Sequence, residues 1–220
     1  MRTKTLLLAA AAIAAGLASS QAQTVYSANI AGYVNTVDVP ITGGGKYTLL
    51  ANPFDDGNGN YVTNLLAILP KQSQVLVWTG TGYNSVSRNS SGWTGTVGAQ
   101  IPPGTGFFVK NGGGTTAGPL TNLFVGTENV SNTAAIPTGY SLFGNPIAFA
   151  GDITSDTNIN LTATLLKQSQ VLTWNVTSQG YVSASKNSSG WTGTIPLPIH
   201  VAEGFFIKAT FTTNWTQVLH

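Results

Sequence analysis

Apolar residues alternate with polar or small ones in many short segments, and turn-forming residues separate those segments, which is the pattern of a β protein. In one segment Leu76 and Trp78 share one side of the predicted strand, and Val75 and Val77 share the other. A related segment later in the chain keeps the leucine and the tryptophan but has threonine in place of Val77. We therefore expect Leu76 and Trp78 to face the core.

The same alternation predicts a later strand in which Phe107 and Val109 point to one side and Phe108 and Lys110 to the other. Helical spacing is found in one short stretch, 63–69, which a proline ends. Its counterpart in the second half of the chain is rich in threonine and less helical.

The chain contains the same unit twice. The octapeptide Asn-Ser-Ser-Gly-Trp-Thr-Gly-Thr at 89–96 returns unchanged at 187–194. Shorter matches in the same order are Lys-Gln-Ser-Gln-Val-Leu at 71–76 and 167–172, Gly-Phe-Phe at 106–108 and 204–206, and Asn-Pro at 52–53 and 145–146. An internal repeat determines how the whole fold is interpreted, and here it argues against a single catalytic centre.

These patterns predict an all-β fold of two tandem homologous antiparallel β domains, of the sandwich or open-barrel type, with at most one short helix per domain. The first domain is expected at residues 23–123 and the second at 124–220. We refer to them as the first and the second copy.

The first 22 residues have the pattern of a secretory signal peptide. Arg2 and Lys4 precede an apolar run from Leu6 to Leu17, and Ser-Gln-Ala at 20–22 is the expected cleavage site. The run is shorter than the roughly 20 residues of a membrane span. We expect secretion to the exterior or the cell surface, with the periplasm as an alternative, and no transmembrane segment in the mature chain.

The charge balance argues against a nucleic-acid partner. Arg2 and Lys4 account for the whole net charge of +2, so the rest of the chain is close to neutral and has no basic patch.

The chain has no cysteine, which excludes disulfides and thiolate chemistry. Only 7% of the residues are charged while 10% are aromatic, and this mix favours a folded protein over a disordered one.

The order of the motifs resembles that of a group of exported proteins. The motifs are Tyr-Ser-Ala-Asn-Ile-Ala-Gly-Tyr-Val at 26–34, Leu-Leu-Ala-Asn-Pro at 49–53, Val-Trp at 77–78, Gly-Tyr at 82–83, Trp93, and Pro-Gly-Thr-Gly-Phe-Phe-Val at 103–109. This series is similar to secreted β-rich repeat proteins of Verrucomicrobia and related bacteria, and to β modules of exported Bacteroidetes proteins. The resemblance implies an exported β protein and supplies no catalytic residues.

Polar and aromatic residues that recur in both copies are the binding candidates. They are Trp93, Trp191, Tyr83, Tyr181, Asn89 and Asn187. Flat rings can stack on sugars while neighbouring amides bond to hydroxyl groups, but such rings also serve as core anchors. Trp93 and Trp191 lie among turn-forming residues, so an exposed ring and a core ring both remain open.

The segment around Asp56, Asn58 and Asn60 is a weak metal-site candidate. These residues alternate as in a calcium loop, but the twelfth position lacks the bidentate glutamate of an EF-hand. The pattern is not expected in the second copy, where Asp152 comes nearest to Asp56. A Gly/Asn turn is therefore predicted, with no metal and no cofactor.

Catalytic residues are not predicted. His200 fits an ordinary strand histidine, and no nucleophile motif accompanies it.

The sequence favours an exported, non-enzymatic surface or extracellular-matrix protein that contacts other copies of itself or other surface proteins, because weakly charged strand edges pair readily. A carbohydrate-binding module with polysaccharide as partner is the alternative. A glycan hydrolase, which needs two facing carboxylates, is less favoured.

Overall fold

The computed structural model describes residues 34–218, with side chains from residue 39 onward. The predicted signal peptide lies outside the described residues. The strands are β1 Val34–Ile41, β2 Tyr47–Ala51, β3 Gln74–Trp78, β4 Tyr83–Asn89, β5 Gly92–Gly95, β6 Gly106–Lys110, β7 Leu120–Thr127, β8 Ser131–Ile136, β9 Gly139–Gly144, β10 Gly151–Asp152, β11 Gln170–Asn175, β12 Gly180–Asn187, β13 Gly190–Gly193, β14 Pro198–Ile199, β15 Gly204–Ala209 and β16 Thr213–Val218. The helices are α1 Val62–Leu65 and α2 Leu161–Thr164, and Gly114–Thr116 forms a 3₁₀ turn.

Each copy contains a five-stranded antiparallel sheet and a two-stranded ribbon, and the second copy also pairs the short strands β10 and β14. The strand order is β2-β6-β3-β4-β5 in the first copy and β9-β15-β11-β12-β13 in the second. The ribbons pair the first strand of each copy with its last, β1 with β7 and β8 with β16. The prediction of an all-β fold in two antiparallel units is confirmed.

The link between the copies is short. Strand β7 pairs with β1 along its whole length, from Leu120 opposite Ile41 to Thr127 opposite Val34. The predicted boundary between residues 123 and 124 therefore falls inside β7, and the connection to β8 is residues 128–130.

The helix predicted at 63–69 is one turn long. After Leu65, the hydrogen bonds change to the tighter i→i+3 pattern, with the Ala67 N–H donating to Asn64 O (3.4 Å) and the Leu69 N–H donating to Leu66 O (3.1 Å). Over residues 34–218, no helix is long and apolar enough to cross a membrane.

The core of each copy lies between its sheet and its ribbon. In the first copy, Val75 and Phe107 of the sheet are fully buried and pack with Phe124 of the ribbon. Val77 belongs to the same cluster. The prediction that Leu76 faces this core was wrong, because the valines on the other side of β3 occupy it.

Leu76 and Trp78 face a third apolar cluster, which joins the two copies. Its buried members are Leu49 and Phe108 from the first copy and Leu142 and Phe206 from the second. Leu76 and Trp78 pack at the margin of this cluster with Tyr47, Leu172 and Trp174. Each sheet thus carries apolar side chains on both faces, and alternation alone could not say which face was the domain core. The predicted opposition of Phe107 and Phe108 is confirmed.

The contact between the copies has an approximate two-fold symmetry. The Ala51 N–H donates to Ala202 O, and the Gly144 N–H donates to Gly104 O, both at 2.8 Å. In the repeat alignment Gly144 corresponds to Ala51, and Ala202 corresponds to Gly104, so exchanging the copies turns one bond into the other. The backbones approach so closely that a Cβ on Gly144 would lie 1.9 Å from the Cβ of Ala51.

Candidate functional site

One face of each five-stranded sheet carries a row of five hydrogen-bonding side chains, one from each strand. In the first copy, the strand register aligns Tyr47, Lys110, Gln74, Ser87 and Thr94 across the sheet. None of them is buried. Because neighbouring strands lie about 4.8 Å apart, this polar row is about 19 Å long.

The polar row of the second copy has the same five residue types in the same order. Its members are Tyr140, Lys208, Gln170, Ser185 and Thr192. Sequence reasoning missed both rows because their members are scattered along the chain and meet only through strand register. The available signal was the identity of the two copies at all five positions.

Hydrogen bonds fix the orientation of the amide at the centre of the first row. The Tyr47 hydroxyl donates to Gln74 Oε1 and the Gln74 Nε2 donates to Ser85 Oγ, both at 2.9 Å. Lys110 Nζ lies 5.9 Å from the centre of the Tyr47 ring, within the range of a cation–π contact. In the second row, Gln170 Nε2 donates to Ser183 Oγ at 3.3 Å.

An aromatic cleft of about 380 Å³ adjoins the first polar row where the two copies meet. Its lining residues are Tyr47, Leu76, Tyr83, Phe108, Trp174, Gln179, Gly180 and Tyr181. The rings contact one another edge to face, with centroid distances of 5.1 Å for Phe108 and Trp174 and 4.9 Å for Trp174 and Tyr181. Such contacts hold the rings in fixed orientations.

Tyr83 and Tyr181, one from each copy, meet in this cleft. They are 40% and 46% exposed. Burial raises the pKa of Tyr83, and the charge and hydrogen bond of Tyr181 raise it further. Burial also raises the pKa of Tyr181, although its hydrogen bond with Tyr83 acts in the opposite direction. Both phenols therefore stay neutral and able to donate hydrogen bonds over the physiological pH range.

Asn89 and Trp93 lie away from the cleft, in the β4–β5 hairpin. Asn89 Oδ1 accepts hydrogen bonds from the backbone N–H and the hydroxyl of Ser91, both at 2.9 Å, which closes the turn. Trp93 packs against the core of the first copy, and the Arg88 guanidinium lies 5.6 Å from the centre of its ring. The turn closed by Asn89 and the packing of Trp93 thus give the octapeptide a structural explanation.

The second hairpin repeats these contacts. Asn187 Oδ1 accepts from the N–H and the hydroxyl of Ser189, both at 2.8 Å. Trp191 packs against the core of the second copy, with Lys186 Nζ 6.0 Å from the centre of its ring, and its indole N–H donates to Thr162 Oγ1 at 3.2 Å. Of the sequence candidates, the structure brings the two tyrosines together and places the tryptophans and asparagines elsewhere.

Asp56, Asn58 and Asn60 form the predicted turn. Asp56 Oδ1 accepts from the backbone N–H groups of Asn58 (2.8 Å) and Asn60 (2.9 Å), and Asn60 Oδ1 accepts from the Asp56 N–H at 3.0 Å. The oxygens that would bind a cation therefore bond to their own loop. No group of three or more histidines and acids that could hold a metal occurs in the described part of the chain.

The second copy repeats this turn, contrary to the sequence prediction. Asp156 Oδ1 accepts from the Asn158 N–H at 2.8 Å, and Asn160 adopts a φ of 57°, close to the 52° of Asn60. The prediction was wrong because the same spacing of Asp, Asn and Asn is present at 156, 158 and 160, so that Asp156 rather than Asp152 is the structural counterpart of Asp56.

His200 lies directly after β14, in the turn that leads to β15. Its side chain is 82% exposed, and its Nδ1 is 3.0 Å from Glu203 Oε2. The same carboxylate oxygen accepts from the His200 N–H at 2.9 Å. The glutamate thus closes the turn, and the histidine is a turn residue rather than a strand residue.

Comparisons with family models, with curated proteins and with solved structures each found no match to this chain.

Proposed function

We propose that this chain is an exported, non-catalytic glycan-binding protein with two equivalent binding faces. The observation that carries the proposal is the polar row beside an aromatic cleft, with the row repeated residue for residue in the second copy. Binding sites for small or extended ligands combine apolar rings with a few well-placed polar groups, and this arrangement has both.

The chemistry of the row suits hydroxylated ligands. Ser87 offers a donor and an acceptor, and Gln74 keeps a second N–H and a second lone pair beside its bonds to Tyr47 and Ser85. The Thr94 hydroxyl, which donates to Ser87 O, offers an acceptor, and Lys110 offers donors only. Sugars present hydroxyl groups to such side chains and C–H groups to aromatic rings. A row of about 19 Å accommodates several sugar units in an extended chain.

The duplication supports binding to a polymer. Two equivalent faces on one molecule can contact two segments of the same glycan, and the second contact then occurs at a high effective concentration. Avidity of this kind allows a weak single site to give firm retention on an insoluble polysaccharide.

Sedimentation with insoluble glycans tests the proposal. The mature protein should pellet with glycan and stay soluble without it. The double variant Gln74→Ala with Gln170→Ala should lose at least tenfold in retention, since it removes one hydrogen-bonding amide from each row. Gln100→Ala is the matched control, because Gln100 is exposed and lies outside both rows. Equal retention of all three proteins, with thermal melting confirming that they are folded, would contradict the proposal.

Contact with other protein molecules is a second candidate function. On the outer side of β7, Leu123 and Val125 are 52% and 42% exposed, which leaves apolar surface on a strand eight residues long. If this surface mediates self-assembly, Leu123→Ser with Val125→Ser should lower the sedimentation coefficient of the purified protein at high concentration. An unchanged coefficient would remove this candidate.

A further inference from the structure

Gln179 of the second copy bonds to the outward backbone edge of Tyr47, at the start of β2 in the first copy. We call this edge with the neighbouring Trp174 the closed corner, and the equivalent edge at Tyr140 with Trp78 the open corner. The Gln179 Oε1 accepts from the Tyr47 N–H at 2.8 Å, and its Nε2 donates to Tyr47 O at 3.0 Å. The indole N–H of Trp174 donates to the same carbonyl at 2.9 Å. One side-chain amide thus satisfies both backbone groups of a residue at the edge of β2, as a neighbouring strand would.

The first copy has no equivalent glutamine. Gln179 ends the five-residue segment 175–179, which includes the last residue of β11 and leads into β12, whereas the first copy has only the three residues 79–81 at this place. The shorter loop closes on itself, with the Thr79 N–H donating to Gly82 O at 2.9 Å and the Gly82 N–H donating to Thr79 Oγ1 at 3.2 Å.

The corresponding corner of the second copy is therefore open among the described residues. Its edge residue is Tyr140, the counterpart of Tyr47. The N–H of Gly144 points away from β15, to Gly104 O, and alternate residues of a strand direct their N–H groups to the same edge. The N–H and C=O of Tyr140 consequently point outward from β9, and its side chain is 45% exposed.

The hydrogen bonding of Trp78 differs from that of its counterpart Trp174. Its indole nitrogen is buried and has no hydrogen-bond partner among the described residues, whereas that of Trp174 bonds at the closed corner. An unpaired buried donor is costly, and a native structure rarely keeps one without reason. Trp78 and Tyr140 both contact the ring of Phe206, at centroid distances of 5.5 and 6.4 Å, so the unpaired indole lies beside the open corner.

We propose that the corner of Tyr140 and Trp78 binds the acetamido group of an N-acetylated sugar. This inference rests on the proposed glycan-binding function and specifies the sugar class. The acetamido C=O accepts from the Tyr140 N–H and its N–H donates to Tyr140 O, which are the two bonds that Gln179 makes with Tyr47. Lys208, 5.5 Å from the centre of the Tyr140 ring, offers donors to the neighbouring hydroxyls.

A small amide fits this edge better than a strand of another protein. Phe143 already forms a β-bridge with Thr105, and the Gly144 N–H bonds to Gly104 O. A bridge of this geometry also engages the C=O of Leu142, so the outward edge of β9 keeps only the Leu142 N–H and the backbone groups of Tyr140. These are too few hydrogen-bonding groups for strand addition.

Titration calorimetry with three probes tests the proposal. The probes are the β-1,4-linked tetramer of N-acetylglucosamine, the tetramer of glucose, and an N-acetylated tetrapeptide. Two extra hydrogen bonds should make the N-acetylated sugar bind about ten- to a hundredfold more tightly than the glucose tetramer. Equal affinity of the two sugars would overturn the acetamido proposal and leave glycan binding intact, whereas binding of neither sugar would overturn both. Tighter binding of the peptide would assign the corner to a protein partner and overturn the acetamido proposal.

Exchange of the loop provides matched variants. Replacing Thr79–Thr81 by Asn-Val-Thr-Ser-Gln supplies the first copy with its own glutamine, which should close the open corner and reduce affinity for the N-acetylated tetramer to that for the glucose tetramer. The same graft ending in alanine should restore binding. Gln179→Ala should open the other corner and raise the number of tight sites for the N-acetylated tetramer from one to two. A graft that binds normally while remaining folded would refute the assignment of this corner.

Discussion

Trp78 of the first copy and Phe206 of the second meet edge to face, with ring centroids 5.5 Å apart. Trp174 and Phe108 make the same contact with the copies exchanged, at 5.1 Å. Phe206 also contacts Tyr181 within its own copy, at 5.8 Å. The same rings therefore stabilise the individual sheets and the pairing of the two copies.

Phe206→Ala should lower the free energy of unfolding by about 3–5 kcal/mol, because a ring only 5% exposed leaves a cavity between the two sheets. Urea unfolding followed by tryptophan fluorescence measures the loss. Phe211→Ala is the matched control, since Phe211 is 62% exposed and should change stability by no more than about 0.5 kcal/mol. Equal stability of the two variants would contradict the role assigned to Phe206.

Gly95→Ala should destabilise the first hairpin by about 1–3 kcal/mol. Gly95 has a φ of 86°, and a Cβ there would lie 2.3 Å from Ser85 O. Gly98→Ala serves as control, because a Cβ on Gly98 meets nothing within 4 Å. Chemical denaturation of both variants measures the difference, and a Gly95 variant as stable as the control would show that the hairpin tolerates a side chain.

Trp191→Ala should reduce stability by about 2–4 kcal/mol while the folded fraction keeps its retention on glycan. The reason is that Trp191 packs against the core of the second copy and bonds to Thr162, away from the cleft. Thermal melting and glycan sedimentation, measured on the same preparation, separate the two effects. A variant that loses retention while keeping its stability would show that Trp191 takes part in glycan binding.

Asp152 should contribute to stability at neutral pH but not in strong acid. Burial by itself would raise its pKa, but hydrogen bonds from the backbone N–H groups of Thr154 and Leu197 and from the hydroxyls of Thr154 and Ser155 outweigh burial and hold the pKa below its usual value. A carboxyl whose folded pKa is depressed adds stability above its unfolded pKa of about 3.9, and this stability disappears as the pH falls through the folded value.

Melting temperatures of the wild type and of Asp152→Asn, measured from pH 7 down to pH 2, test this expectation. The variant should be less stable at pH 7, and the difference should shrink below about pH 4. Asp55→Asn is a suitable control because Asp55 is exposed. A difference that stays constant over the whole range would contradict a role for the charge.

The sequence predicted the class of the fold and the duplication because both follow from local patterns. Alternation placed Phe107 and Phe108 on opposite sides of β6, as observed. The same pattern misassigned Leu76, because it cannot distinguish a domain core from an interface between copies when both faces of a sheet carry apolar side chains.

Only part of the candidate site could be predicted from the sequence. Tyr83 and Tyr181 were identified through their recurrence, and both line the cleft. The polar row depends on the register of five strands, which a sequence pattern does not fix. Gln179 acts on a residue of the other copy, so its role follows only from how the copies pack.

The two-fold contact between the copies has a consequence for folding. Each copy carries both halves of the same self-complementary surface, so a copy from one chain can pair with the complementary copy of another and close into a domain-swapped dimer. The link of residues 128–130 keeps the partner copy of the same chain nearby, at an effective concentration on the order of millimolar. Below that concentration the closed monomer is favoured, and refolding from concentrated solution is the condition under which exchange between chains competes.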